Sequence, residues 1–401
     1  MIIAMSARRL QIGLCLAAWM ILGGCASLDA GRFNDPDDGQ FDLGHALRSE
    51  TGMVPVPDVI ADPAIGYGLG LAALVFSEPV STPAATTDAT PSPDAASSSH
   101  GPQNTDAALV ATKAPPPSLT GIGAFATGTH SWGTGLMHFH TWDDDRIRYL
   151  GMIGWADLHL NYYGPIGVTK NAYQLSGVAL SQQVLFRIGD TPWYVGPRYA
   201  FSSSSTRFDG SVPQSIENYE RTVRIGKAGA VVDYDTRDNL FDPNQGTYAE
   251  IEAELARSIF GSEADFEMES ARIFHWIALS KTWVLGLRAA AGFSQGNVPF
   301  FAKPYVDLRG VAHTRFQDRD EVTGELELRY YITPRWSVLG FGGVGRAYGD
   351  LHSFTNAPTA YGVGTGFRYL IVRKLGMTIG IDIAHGPEQN AVYVQIGSAW
   401  R

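Results

Sequence analysis

The sequence predicts an all-β fold, a transmembrane antiparallel β-barrel, and three observations carry that expectation. Segments of about ten to sixteen residues, rich in aromatic and β-branched types, alternate with turn clusters such as HSWG, WDDDR, DPNQG and HGPEQN. Beyond position 25 no run of eighteen apolar residues occurs, so no membrane-crossing helix is encoded. A closed barrel is the other structure that satisfies every backbone group in lipid. Charges also recur on the same strand face as glycines. A soluble sandwich core tolerates neither, because an unpaired buried charge is strongly unfavourable.

The clearest element is the strand running to Ile332. It sets Leu326, Leu328, Tyr330 and Ile332 against Glu325, Glu327, Arg329 and Tyr331. Hydrocarbon on one side and ions on the other fit a wall between lipid and a polar lumen. Other segments sort the same way. Ala249, Ile251, Ala253 and Leu255 oppose Glu250, Glu252 and Glu254; Trp283, Leu285, Leu287 and Phe293 oppose Gly286, Arg288 and Gly292. Tyr361, Val363, Phe367, Tyr369 and Ile371 oppose Gly362, Gly364, Gly366 and Arg368. Met377, Ile379, Ile381 and Ile383 are expected outside, as are Val392, Val394, Ile396 and Trp400 in the last segment. About fifteen strands can be placed this way. Bacterial barrels have an even number, with both termini in the periplasm, so sixteen are expected, the missing one between Asn161 and Glu220.

The N-terminal residues carry a second set of expectations. Arg8 and Arg9 precede a mostly apolar run from Ile12 to Leu22, too short to span a bilayer but suited to a secretory signal. The run ends Leu22-Gly23-Gly24-Cys25, which resembles the lipobox of bacterial lipoproteins. Residues 1–25 therefore read as a lipoprotein-type signal peptide, with Cys25 as the lipidated N-terminus. Cys15 lies within the signal, so the mature chain has no disulfide and no thiolate metal site. Residues 26–60 read as a periplasmic tether and 61–401 as the barrel, with the first strand candidate at Ala64 to Phe76. Within it, 78–117 is rich in Pro, Ala, Ser and Thr and reads as a disordered extracellular loop insert.

Composition agrees with this picture. Glycine accounts for 45 of 401 residues and charged types for 17%, well under the usual quarter. Mean hydropathy is near zero, as alternation requires. A formal charge of −10 argues against a nucleic-acid partner, since phosphate binding needs a basic footprint.

Three motifs then line up in order. Asp233-Tyr234-Asp235-Thr236-Arg237-Asp238-Asn239, continuing to Pro243 and Gly246, resembles the DxRDNxxxPxxG turn of the bacterial surface antigen family, the BamA/TamA superfamily. Leu308-Arg309-Gly310, followed by Arg315-Phe316, is similar to its [VL]RG[FY] loop motif, and Tyr361 to Tyr369 with the terminal YVQIGSAW resemble its later strands. The resemblance spans roughly 61–401. It implies that the loop folds back into the lumen, where Arg309 pairs with a carboxylate for which Glu327 is the matching position. Gly310 lets the loop pack closely on the wall. Val311 replaces the usual aromatic, and Gly343 replaces a second acid, so Glu325 or Asp382 is expected to compensate. The final Arg401 adds a charge after the terminal aromatic.

Candidates for chemistry are sparse. Asp235, Arg237 and Asp238 are read as capping a turn that Pro243 and Gly246 shape, against an acid-pair alternative. Asp143, Asp144 and Asp145 lack EF-hand spacing and read as a solvated extracellular loop. His138 and His140 share a face with no third ligand in sight, and Ser203 to Ser205 sit in no nucleophile elbow. No enzyme activity, cofactor or metal is expected. The resemblance implies an outer-membrane protein that helps insert or translocate other components, with outer-membrane lipid and other outer-membrane or periplasmic proteins as partners. Some thirty-five residues before the barrel are too few for the POTRA modules of such insertases, which keeps open the alternative of a passive channel or surface barrel without clients.

Overall fold

A computed structural model describes residues 33–44, 53–62, 64–76, 116–163, 170–210, 220–387 and 390–400. Cys25, the signal peptide and nearly all of the 78–117 insert lie outside the described residues. The wall comprises β1 (Met53–Asp62), β2 (Gly66–Phe76), β3 (Leu119–Thr127), β4 (Trp132–Trp142), β5 (Ile147–Tyr163), β6 (Lys170–Arg187), β7 (Trp193–Phe208) and β8 (Thr222–Asp235). It continues with β9 (Gly246–Ala256), β10 (Phe266–Ala278), β11 (Trp283–Gly296), β12 (Asp320–Tyr331), β13 (Trp336–Tyr348), β14 (Ala360–Val372), β15 (Met377–His385) and β16 (Asn390–Ile396). Each strand pairs antiparallel with its sequence neighbours, and β1 meets β16, so sixteen strands close a barrel.

The wall is inverted relative to a soluble protein. Leu326 and Leu328 on β12 are 51% and 37% exposed, while the intervening Glu327 and the next residue inward, Arg329, are 5% and 2% exposed. Aromatic residues mark both rims of the outer surface. At the end that carries the chain termini, exposed tryptophans pair across strands: Trp193 with Tyr234 (4.9 Å between rings), Trp283 with Tyr330 (4.7 Å) and Trp336 with Tyr369 (4.7 Å). At the opposite end Trp132 and Trp155 pack at 4.2 Å beside exposed Tyr67.

Several expectations change. The wall begins at Met53, inside the stretch read as tether, because Pro55 and Pro57 interrupt the alternation that would have disclosed β1. The interval from Asn161 to Glu220 contains β6 and β7. Since β2 ends and β3 begins at the end that carries both termini, the connection containing 78–117 leaves from that end. The 143–145 turn lies at the same end, and Asp145 is buried instead of solvated. All three of its aspartates adopt positive φ, between 50° and 65°, a region that Asp tolerates better than most side chains. Met377 turns inward: a bulge between Leu370 and Val372 resets the register of β14 on β15. It joins Val56, Phe76, Leu119, Val372 and Leu375 in an apolar cluster.

The inverted wall predicts a labelling pattern. In a background lacking Cys15 and Cys25, fluorophores on single cysteines at Ile251 and Leu326 are expected to be quenched by spin-labelled lipid in a bilayer. One at Glu252 is expected to escape quenching; equal quenching at all three sites would contradict the assignment of faces.

Candidate functional site: a lumenal arginine lock and a short seam

The β11–β12 connection, 297–319, enters the lumen from the end opposite the termini. Its Val306, Leu308, Val311 and Phe316 form a buried cluster with Ala347 of β13 and Ala360 of β14. Val311, where an aromatic is usual, is thus part of the loop's apolar anchor. Absent side chains make the room. A Cβ at Gly343 would lie 2.6 Å from Leu308 Cδ2, and one at Gly362 would lie 2.2 Å from the Arg309 carbonyl. Gly343 therefore seats the loop, and the acid expected there comes from elsewhere. Gly310 itself has φ of 90°, and a Cβ on it would press on the Gly386 nitrogen and His385 carbonyl carbon at 3.1 Å. Its N–H donates to Tyr393 Oη at 2.9 Å.

Arg309 is enclosed by three carboxylates. Its Nε donates to Glu325 Oε1 at 2.9 Å, and Nη1 lies 3.0 Å from Glu327 Oε2 and 2.8 Å from Asp382 Oδ2. The guanidinium also stacks on Phe341, 3.4 Å from the ring centroid. Glu327, the expected partner, is one of three. Glu325 and Asp382, expected as compensators, are both engaged. The remaining lone pairs bind further cations: Arg368 forms a two-bonded fork with Asp382 at 2.6 and 2.9 Å, and Arg329 donates to Glu327 at 3.1 Å. Trp400 Nε1 donates to Glu325 Oε1 at 3.0 Å. These bonds let the charges persist although they are buried, where an unpaired one would be strongly destabilising.

The second motif reaches the same column from the other end. In the β8–β9 turn, Arg237 grips Asp235 through Nε and Nη2 at 2.9 Å each, and Arg148 adds a third contact to Asp235 at 2.9 Å. Asp238 accepts from the Asn244 and Gln245 N–H groups at 3.0 and 3.3 Å. Pro243 lies within this turn, and Gly246 closes it with φ of 105°, where a Cβ would meet the Thr236 carbonyl at 2.2 Å. Asp242, at the turn's inward tip, pairs with Arg329 at 2.5 Å. A continuous set of ion pairs, Asp242 to Arg329 to Glu327 to Arg309, therefore joins one loop to the other through the lumen. Both aspartates of the acid-pair alternative are occupied, Asp235 by Arg237 and Arg148 and Asp238 by N–H groups of the turn.

The barrel closes through a short junction. The register of β1 on β2 extends from Met53–Val75 to Asp62–Gly66, whereas β1 meets β16 at Ile60–Tyr393 and Ala61–Val392. After Ile396 the chain turns inward at Gly397, φ 72°, where Gly397 N–H donates to Thr378 O at 2.7 Å and Ser398 N–H to Phe241 O at 2.5 Å. Trp400, expected on the lipid face, is buried beside Phe274 and Trp276. Among the described residues β1 pairs with β16 at those two positions, and the tail that follows β16 is drawn into the lumen.

A second arginine was hidden from sequence reasoning by the tether assignment. Arg335, in the β12–β13 turn, receives Asp35 at 2.5 Å, Asp38 at 2.6 Å and Asp42 at 2.6 Å from the segment 33–44. Neither its TPRW turn nor the DPDDGQFD run signals the other partner. His138 and His140 hydrogen-bond Thr120 and Ser118 at 2.8 and 2.7 Å, and among the described residues no three potential ligands gather around a metal. Ser203 to Ser205 lie within β7.

Two predictions follow from these contacts. Arg309→Ala takes from three buried carboxylates the cation they share, and the protein is expected to lose about 3–5 kcal/mol of stability in urea titrations read by gel mobility; a loss within error would contradict the lock. Asp35 is held below the ordinary carboxylate range, first by the Asp37 N–H and then by Arg373 and Arg335; Asp38 is held below it first by Arg335. Their contribution is present above the unfolded pKa of about 4 and disappears as pH falls through the lower folded values. Hydrogen exchange of residues 33–44, corrected for intrinsic rate, is expected to show protection at neutral pH that is lost in strong acid.

No family model matches the chain, and no curated protein matches it. Among solved structures, BamA from Haemophilus ducreyi lacking POTRA domains 1–3 aligns with a TM-score of 0.53 and 10% identity, over 87% of this chain and 70% of that one. CdiB from Acinetobacter baumannii aligns with a TM-score of 0.52 and 9% identity, over 86% of this chain and 59% of that one. At these identities the likeness is one of fold: the chain is a sixteen-stranded antiparallel barrel of the shape those two proteins share.

Proposed function

We propose that the protein is an outer-membrane barrel of the BamA/TamA type that contributes to inserting or translocating proteins or lipids of that membrane. The observation that carries this reading is the β1–β16 seam. Each net backbone hydrogen bond contributes about 0.5–1.5 kcal/mol, so a junction held at Ile60–Tyr393 and Ala61–Val392 is the least costly place to open the wall. An opened seam presents strand edges, which extended segments recognise by adding a strand. The inward turn at Gly397 keeps the junction short, and the loop lock keeps the remaining wall closed while it opens. The ordered motifs and the shared fold with BamA and CdiB support the same reading.

Among the described residues the lumen contains the 297–319 loop, the β8–β9 turn and an apolar cluster at the termini end, which weighs against a permanently open channel. Arg309→Ala is expected to raise conductance in planar bilayers from a low baseline.

The test is genetic. Deleting the gene is expected to alter outer-membrane protein or lipid composition, and Ala61→Cys with Val392→Cys, oxidised across the seam, is expected to fail to restore it until reductant is added. Unchanged composition in the deletion strain, or full restoration by the locked barrel, would refute the proposal.

A further inference from the structure

Residues 33–44 form a small hairpin: Asn34 bridges Phe41, Asp42 N–H donates to the Phe33 carbonyl at 2.7 Å, and Gly39 lies in its turn with φ of 67°. Three of its carboxylates, those of Asp35, Asp38 and Asp42, converge on the buried Arg335 of the β12–β13 turn. Arg373, between β14 and β15, approaches Asp35 at 3.3 Å and Asp37 at 3.2 Å, and its backbone N–H donates to Asp42 at 3.0 Å. Backbone contacts add to these: Leu43 N–H donates to the Ile371 carbonyl at 2.8 Å, and Tyr369 Oη to the Phe41 carbonyl at 2.6 Å. The hairpin is thus moored on the β13 to β15 side of the seam, although the chain that follows it becomes β1, on the other side.

The termini end of the seam needs such a mooring. β1 runs from Met53 at that end to Asp62, and among the described residues it meets β16 at Ile60 and Ala61, near its other end. Carrying that register back sets Ile396, the last residue of β16, opposite Pro57, so Met53 to Val56 have no β16 residue to face. A backbone ladder does not close this end. Side chains bridge it instead: Val56, Phe76 and Leu119, from β1 to β3, share one buried cluster with Val372, Leu375 and Met377 of the β14–β15 hairpin, and Leu43 packs against that cluster. Apolar burial is non-directional, so this bridge holds without a register, but it holds only while water is kept away.

We propose that the 33–44 hairpin is a strap that controls the seam: docked on Arg335, it keeps Leu43 on the cross-seam cluster and the termini end shut; released, it lets β1 and β16 part there. The inference rests on the seam reading given under the proposed function and adds its regulation. Arg335 suits the task because its three carboxylate partners all come from one twelve-residue segment, so they dock and leave as a unit. Leu43 leaves with them.

Spin labels read the seam directly. In a background lacking Cys15 and Cys25, one pair is placed at Leu71 on β2 and Val338 on β13, both exposed and separated across the seam by five strand spacings, about 24 Å along the wall. A second pair, at Ile251 on β9 and Val344 on β13, spans four spacings of wall away from the seam, about 19 Å. Distances are measured by double electron–electron resonance on the purified full chain in phosphatidylcholine nanodiscs. Arg335→Gln is expected to raise roughly tenfold the fraction of Leu71–Val338 distances lengthened by a strand width, about 5 Å, or more, and to leave Ile251–Val344 unchanged. Asp35→Asn with Asp38→Asn and Asp42→Asn removes the same ion pairs from the hairpin, leaves the barrel's own residues intact and is expected to match it. This triple variant decides the matter should Arg335→Gln misfold. Distances at the seam pair indifferent to both variants, or lengthened equally at both pairs, would overturn the strap. Failure here is distinct from failure of the seam reading, which the outer-membrane composition of the deletion strain decides.

Discussion

A guanidinium enclosed by a protein wall must find carboxylates, and Arg309 finds three of them, two from β12 and one from β15. That requirement organises much of this barrel. Glu325 and Glu327 must stand on the inward face of β12, which fixes Leu326 and Leu328 on the outer surface, because a slip of one residue would exchange the two faces. Asp382 must reach from β15, which needs Gly366 opposite it without a side chain: a Cβ there would lie 2.0 Å from Asp382 Oδ1. The loop that brings Arg309 must pass close to β14, and Gly362 gives way. Charge inside and hydrocarbon outside are thus two consequences of one set of pairings.

The same network reaches the seam. Trp400 is held in the lumen by Glu325, itself a partner of Arg309, and Tyr393 on β16 accepts the Gly310 N–H. The residues that lock the loop therefore also hold the last strand and its tail. This couples the loop at one end of the barrel to the closure of the wall and, through Arg329 and Asp242, to the turn at the other. Buried ion pairs contribute little net stability relative to well-packed hydrophobic residues, but breaking one partner is costly, which suits them to specifying a single closed arrangement.

Much of this was legible in the sequence where period and motif agreed. The alternation of β9, β11, β12 and β14 showed which side faces outward, and the motif drew attention to Arg309 and Gly310, with Glu327 lying against Arg309 as one of its three carboxylates. Legibility failed where a local feature overrode the period. Prolines 55 and 57 concealed β1, a bulge turned Met377 inward, and the positive φ at Gly397 sent Trp400 into the lumen. Partners distant in sequence were invisible for a different reason. Nothing in DPDDGQFD points to Arg335, three hundred residues away in one of its contacts, and nothing in DPNQG points to Arg329.

The account turns on the loop occupying the lumen. Replacing Phe316 by a photoreactive benzoylphenylalanine in native membranes tests this directly, since Phe316 packs in the cluster that includes Ala347 and Ala360. Irradiation is predicted to give internal crosslinks that map to β13 or β14; crosslinks to lipid or to surface components, with none to the inner wall, would show that the loop lies outside and that Arg309 holds nothing closed.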